Sequence, residues 1–132
     1  MRKVQTRAPS FPIAAVNQLL PCEPKVRWQV MCGDDGHWRA GMYSPMEASA
    51  AEVVELEKHD CPELFLLVSG RVTLVVADGA ATREIRLKLG QPVLVAAPHT
   101  GYCPDGPMTG VAFVVERDSF DTEYRVPEEW TR

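Results

Sequence analysis

The chain has no long hydrophobic run. Its apolar stretches, such as residues 64–68, reach five residues, against the roughly 20 that a helix needs to cross a bilayer, so no membrane-spanning segment is expected. It also lacks a concentrated basic face. Lys and Arg number 14 against 18 Asp and Glu, giving a formal charge of −4, and no Lys/Arg run exceeds two residues. Phosphate backbones need clustered cations, so nucleic-acid binding is not expected. After Met1-Arg2-Lys3 the chain continues Val4-Gln5-Thr6-Arg7 with no apolar stretch, which argues against a secretory signal and for a cytoplasmic protein. Cysteine is sparse as well. Cys22, Cys32, Cys61 and Cys103 fit no C-x-x-C zinc or redox pattern and are expected to be thiols.

What is present is an ordinary globular composition, 45% hydrophobic and 24% charged over 132 residues, enough for one domain with a core. Pro9, Pro12, Pro21 and Pro24 punctuate the start, so residues 1–24 read as an N-terminal arm with at most a helical turn over 13–20. Residues 25–132 read as a β-barrel domain. Short strands are expected at 26–32, 38–43, 52–59, 64–68, 72–76, 82–87, 93–97 and 111–115, divided by turn signals such as Gly33-Asp34-Asp35-Gly36 and Asp78-Gly79. Residues 64–68 and 72–76 look like an apolar hairpin around Gly70. Parallel strands need crossovers of a dozen or more residues, and almost no helix separates these segments. The expected class is therefore all-β, a sandwich or closed barrel. The short C-terminal tail reads as irregular chain with one helical turn near Pro127-Glu128-Glu129-Trp130, packing back through Phe120, Tyr124 and Trp130.

The stretch most able to carry chemistry is Glu55-Leu56-Glu57-Lys58-His59-Asp60-Cys61-Pro62-Glu63. Residues two apart on a strand share a face. Glu57 and His59 therefore point together, and Cys61 and Glu63 join them if the strand stays extended. Imidazole and carboxylate groups on one face make a candidate site for a divalent transition metal such as Fe, Mn, Ni or Zn. Burying the two acids without a cation would be costly.

These residues resemble the first motif of the cupin superfamily, approximately G-x5-H-x-H-x(3,4)-E-x6-G. Glu63 lies seven residues before Gly70, and His59 lies four before Glu63. Glu57 stands where the first motif His belongs, and the opening Gly is absent. Gly90 opens a looser match to the second motif, approximately G-x5-P-x-G-x2-H-x3-N. Strict counting puts Gly101 at its His, and His99 reaches that place if the loop is two residues shorter. The resemblance spans about residues 25–117 and implies a cupin-like jelly-roll barrel, or double-stranded β-helix. It also implies a metal held by Glu57, His59, Glu63 and His99. Arg39, Tyr43, Cys61, Phe65 and Tyr102 are candidate pocket residues, with Tyr102 on a turn-rich loop at the barrel mouth.

Three functions are compatible with that resemblance. One is a metal-dependent enzyme acting on a small organic molecule, of dioxygenase, isomerase or lyase type. Another is a module that binds a small ligand without turning it over. The third is a metal-free enzyme of the sugar-nucleotide isomerase or epimerase sort, with His59 as acid/base and Glu63 or Glu57 orienting it. A homodimer is expected, paired through sheet faces and the N-terminal arm.

Overall fold

The computed structural model describes Arg2 and residues 14–131, so half of the arm expected over residues 1–24, including Ile13, lies outside the described residues. Residues 14–20 form no helix. From Trp28 onward the regular structure is almost entirely strand: β1 (Trp28–Asp34), β2 (Trp38–Tyr43), β3 (Leu56–His59), β4 (Glu63–Ser69), β5 (Thr73–Val76), β6 (Arg83–Arg86), β7 (Val93–Val95), β8 (His99–Tyr102), β9 (Val111–Glu116) and β10 (Thr122–Arg125). A 3-10 turn at Ala50–Glu52 and the one-turn helix α1 (Pro127–Trp130) complete it. Pro127 opens α1 at a position where its missing N–H costs nothing.

Two five-stranded antiparallel sheets result, in the orders β1-β2-β9-β4-β7 and β10-β3-β8-β5-β6. Beyond the β1–β2 hairpin, the chain passes repeatedly from one sheet to the other. The hairpin expected between residues 64–68 and 72–76 does not form. β4 pairs with β7 and β9, whereas β5 pairs with β6 and β8. Gly70 is the crossing point, at φ +64, where a Cβ would run into the Thr109 carbonyl, so only glycine fits the path. β8 and β10 were not legible as strands. Each finds its hydrogen-bond partners on β strands far away in sequence.

Alternation decides what each strand buries. Along β4, Glu63, Phe65 and Leu67 are buried while Leu64 and Val68 are exposed; along β9, Ala112, Val114 and Glu116 are buried. The apolar core between the sheets contains Phe65, Leu67, Val72, Leu74, Val76, Val95, Cys103 and Val114. A smaller cluster of Leu56, Val75 and Ala77 lies on the other side of the second sheet, covered by Val53 and Trp130. The tail packs back as expected there: the Trp130 indole donates to the Leu56 carbonyl at 3.2 Å. Among the described residues, no helix is long and apolar enough to cross a membrane.

Candidate functional site

One end of the barrel interior is polar. Glu57 and His59 project from β3, and β3 pairs with β8 so that His99 lies directly opposite Glu57. Glu63 comes from the facing sheet. Extension does not persist from His59 to Glu63, because Asp60-Cys61-Pro62 breaks the strand and carries the chain across. The two sheets then face each other, and one ligand atom from each of Glu57, His59, Glu63 and His99 lies within 4.8 Å of all the others.

The surroundings fix how the two imidazoles are presented. His99 Nδ1 lies 2.8 Å from the Ala97 carbonyl, which can only accept, so Nδ1 carries a proton and Nε2 faces the cluster. His59 Nδ1 lies 2.7 Å from the Thr122 hydroxyl on β10, leaving its Nε2 toward Glu63 Oε1, in contact, and Glu57 Oε1 at 3.7 Å. Phe120 covers the His59 ring at 4.5 Å between centroids, and Phe65 meets His99 edge-on at 5.6 Å.

Buried charge shapes the titration of this cluster. Burial works against a charged His59, but its interactions with the Glu57 and Glu63 carboxylates prevail and raise the ring from 6.5 to about 10. Burial would likewise raise Glu63, yet the two imidazoles hold it down at about 2. His99 is shifted upward on balance, with burial opposed by Glu63. The protein thus stabilises positive charge at the point where the four side chains meet.

Above the cluster opens a cavity of about 610 Å³. Its inner wall includes Trp28, Arg39, Tyr43, Thr100, Glu116 and Phe120, together with Glu57, His59 and Thr122. Arg39 Nε donates to buried Glu116 at 2.9 Å, across the register that sets Arg39 opposite Glu116. Burial, and then the charge of Glu63, push Glu116 upward, against the pull of Arg39. Tyr43, pushed up to about 12 by burial, lies inside the barrel because Gly101 leaves room for it. The position where the second motif would set a histidine thus houses a tyrosine ring instead.

Of the other sequence candidates, Arg39 and Tyr43 line this cavity. Phe65 lies beneath it in the core, in edge contact with Tyr43. Cys61 is buried in the turn between β3 and β4, away from the cavity wall, and burial pushes its thiol upward. Tyr102 is not at the mouth. It stands three residues after His99 on β8, so strand alternation turns it to the opposite face. There its hydroxyl donates to Glu84 at 2.8 Å, and it borders a separate depression of about 220 Å³. Cys103, which follows it, is fully buried. Sequence reasoning missed Glu116, Thr122 and the cavity role of Trp28. Glu116 alone had a signal, as the last inward-facing position of β9.

No family model and no curated protein matches the chain. Solved structures do. A cupin-2 domain containing protein from Shewanella frigidimarina superposes with a TM-score of 0.51 at 15% identity, over 68% of this chain and 78% of that one. Vicilin from Solanum melongena matches with a TM-score of 0.49 at 12% identity, over 68% of this chain and 25% of that one. The DMSP lyase DddQ from Ruegeria pomeroyi matches at 0.48 and 17%, over 71% and 46%. This chain therefore spans less than half the length of the last two. Taken with the two antiparallel sheets, the first likeness establishes a cupin-type β-barrel fold. Activity has to be argued from the site itself.

Proposed function

We propose that this barrel holds a divalent transition metal ion through Glu57, His59, Glu63 and His99, and that it binds and acts on a small organic molecule in the cavity above. The observation that carries this reading is a pair of buried atoms. Glu63 Oε1 and His99 Nε2 have no hydrogen-bond partner of ordinary geometry among the described residues, although each lies within 4.8 Å of ligand atoms from the other members of the cluster. His99 Nε2 is left without a hydrogen bond, which costs a buried polar group about 1–3 kcal/mol, and Glu63 Oε1 is met only by the His59 and His99 imidazoles; a cation among the four side chains would satisfy both atoms. The donor set, imidazole nitrogen with carboxylate oxygen, suits Fe, Mn, Ni or Zn.

Such an ion supplies Lewis acidity toward a substrate oxygen. The remaining work falls to the protein. The Ala97 carbonyl and the Thr122 hydroxyl orient the two imidazoles, Phe120 and Phe65 pack on their rings, and the apolar core closes the far end against water. A metal-free role for His59 as base fits less well. It leaves buried His99 Nε2 without a hydrogen-bond partner.

Elemental analysis of the full-length, untagged protein tests the reading. One transition-metal ion per chain is expected, with His59→Ala and His99→Ala each losing it while remaining folded. Equal trace metal in the parent and both variants, before and after incubation with Mn, Fe, Ni or Zn salts, would remove the proposal.

The proposal includes a dimer in a reducing, cytoplasmic setting. The outer face of the first sheet sets Val115, Leu64 and Leu94 in one cross-strand row and Met42, Phe113 and Leu66 in the next. An uncharged face of this kind suits sheet-on-sheet packing with a second copy. Light scattering that reports a single-chain mass would count against it.

A further inference from the structure

We infer that Arg39 is the anchor for a carboxylate, so that the cavity selects small organic acids which reach from its guanidinium to the His/Glu cluster. The inference rests on the metal reading above and assigns its substrate class.

Three observations hold Arg39 in place. Its Nε donates to Glu116 at 2.9 Å, and Glu116 is itself 6% exposed. Its Cζ lies 5.5 Å from the centre of the Trp28 ring and 5.1 Å from that of Phe120. With Nε engaged, neither Nη donates to any acceptor among the described residues, although the side chain lines the cavity. A fixed planar fork with two uncommitted N–H edges matches a carboxylate in a way that a flexible ammonium does not.

Phe120 sets the reach. The same ring that meets Arg39 at 5.1 Å covers His59 at 4.5 Å. A ligand with a carboxylate on Arg39 and a second oxygen directed to the cluster therefore lies along Phe120, with Trp28 and Tyr43 beside it. That is the span of a small acid.

Charge admits a monoacid more readily than a polyanion. With a divalent cation present, the inner wall balances: Arg39 and the cation offset Glu57, Glu63 and Glu116. Glu52 and Glu55 stand exposed at the mouth, where Glu47 is paired with Arg27 at 3.4 Å. This acidic rim repels a ligand bearing several negative charges, such as a nucleoside diphosphate, more than it repels a monoacid.

The test uses metal-loaded, full-length protein and calorimetric titration with acetate, lactate, succinate and benzoate, each against its own amide, and with inorganic phosphate. At least one acid is expected to bind ten-fold or more tighter than its amide. Arg39→Gln should abolish that preference with metal content unchanged, and Arg39→Lys should restore only part of it. Should Arg39→Gln misfold by stranding Glu116, the comparison passes to Glu116→Gln, which should keep the preference, and to Arg39→Gln/Glu116→Gln, which should lose it. The inference falls if no acid outbinds its amide, or if the preference survives loss of Arg39. Loss of metal from the parent protein strikes instead at the metal reading, and the two failures are separately visible.

Discussion

The two ends of the barrel interior are built from the same strands by the same alternation, yet they hold opposite contents. Inward positions of β4 run Glu63, Phe65, Leu67, and those of β9 run Ala112, Val114, Glu116. Because β4 and β9 are antiparallel, Glu63 and Glu116 fall at one end, while Leu67 lies directly opposite Ala112 toward the other. The apolar end gains stability from area removed from water. The polar end costs desolvation, offset by pairing. A barrel is thus able to carry expensive chemistry at one mouth because the other end is packed with Leu74, Val76 and their neighbours.

Three substitutions or conditions sharpen that contrast. The largest expected effect is at the apolar end. Leu74 is fully buried, and Leu74→Ala should destabilise the fold by about 2–5 kcal/mol, read by denaturant unfolding, with metal stoichiometry retained in the folded fraction. An equal loss of metal would mean that the two ends are not separable.

Thr122→Val comes next. It removes the partner of His59 Nδ1 at little cost in volume, and should weaken metal affinity by about 10–100-fold with a much smaller change in unfolding free energy. Unchanged affinity in a chelator competition would show that packing against Phe120 alone orients the ring.

The third contrast is in pH dependence, where the change per pH unit is modest and accumulates over the window. Without metal, His59 is raised from 6.5 to about 10. Its protonated form therefore favours the folded state fully below pH 6.5, and that contribution disappears as pH climbs to about 10. A metal ion displaces the proton, so apparent affinity should rise by about tenfold per pH unit across the same window. Stability of chelator-treated protein should decline over this range, and His59→Gln should flatten the decline. A decline that is as steep in His59→Gln would assign the titration elsewhere.

Legibility in the sequence followed the range of the interactions. Glu57 and His59 share a face because they are two apart on one strand, a local property. The expectation that Glu63 joins them by continued extension was right about convergence for a reason that does not hold. The strand breaks at Asp60-Cys61-Pro62, and the chain crosses to the opposing sheet. Tyr102 was misplaced because residues 101–106 were read as loop, whereas β8 extends through Tyr102 and turns it away from His99. β8 and β10 escaped notice because His99-Thr100-Gly101-Tyr102 and Thr122-Glu123-Tyr124-Arg125 have no run of apolar or β-branched residues, and their extension is imposed by β3 and β5 alongside.

The order of residues alone determined an all-β chain with turns at glycines such as Gly36 and Gly79, and an acid and an imidazole on a common strand face. Those properties depend on neighbours one to four positions away. Tertiary structure decided that Gly70 marks a crossing between sheets, that Glu63 and His99 arrive at the same point, and that Arg39 meets Glu116 across 77 residues. Each of those contacts depends on which strand lies beside which. That choice belongs to the whole barrel, because only the two sheets packed face to face bury the inward apolar positions of their strands together.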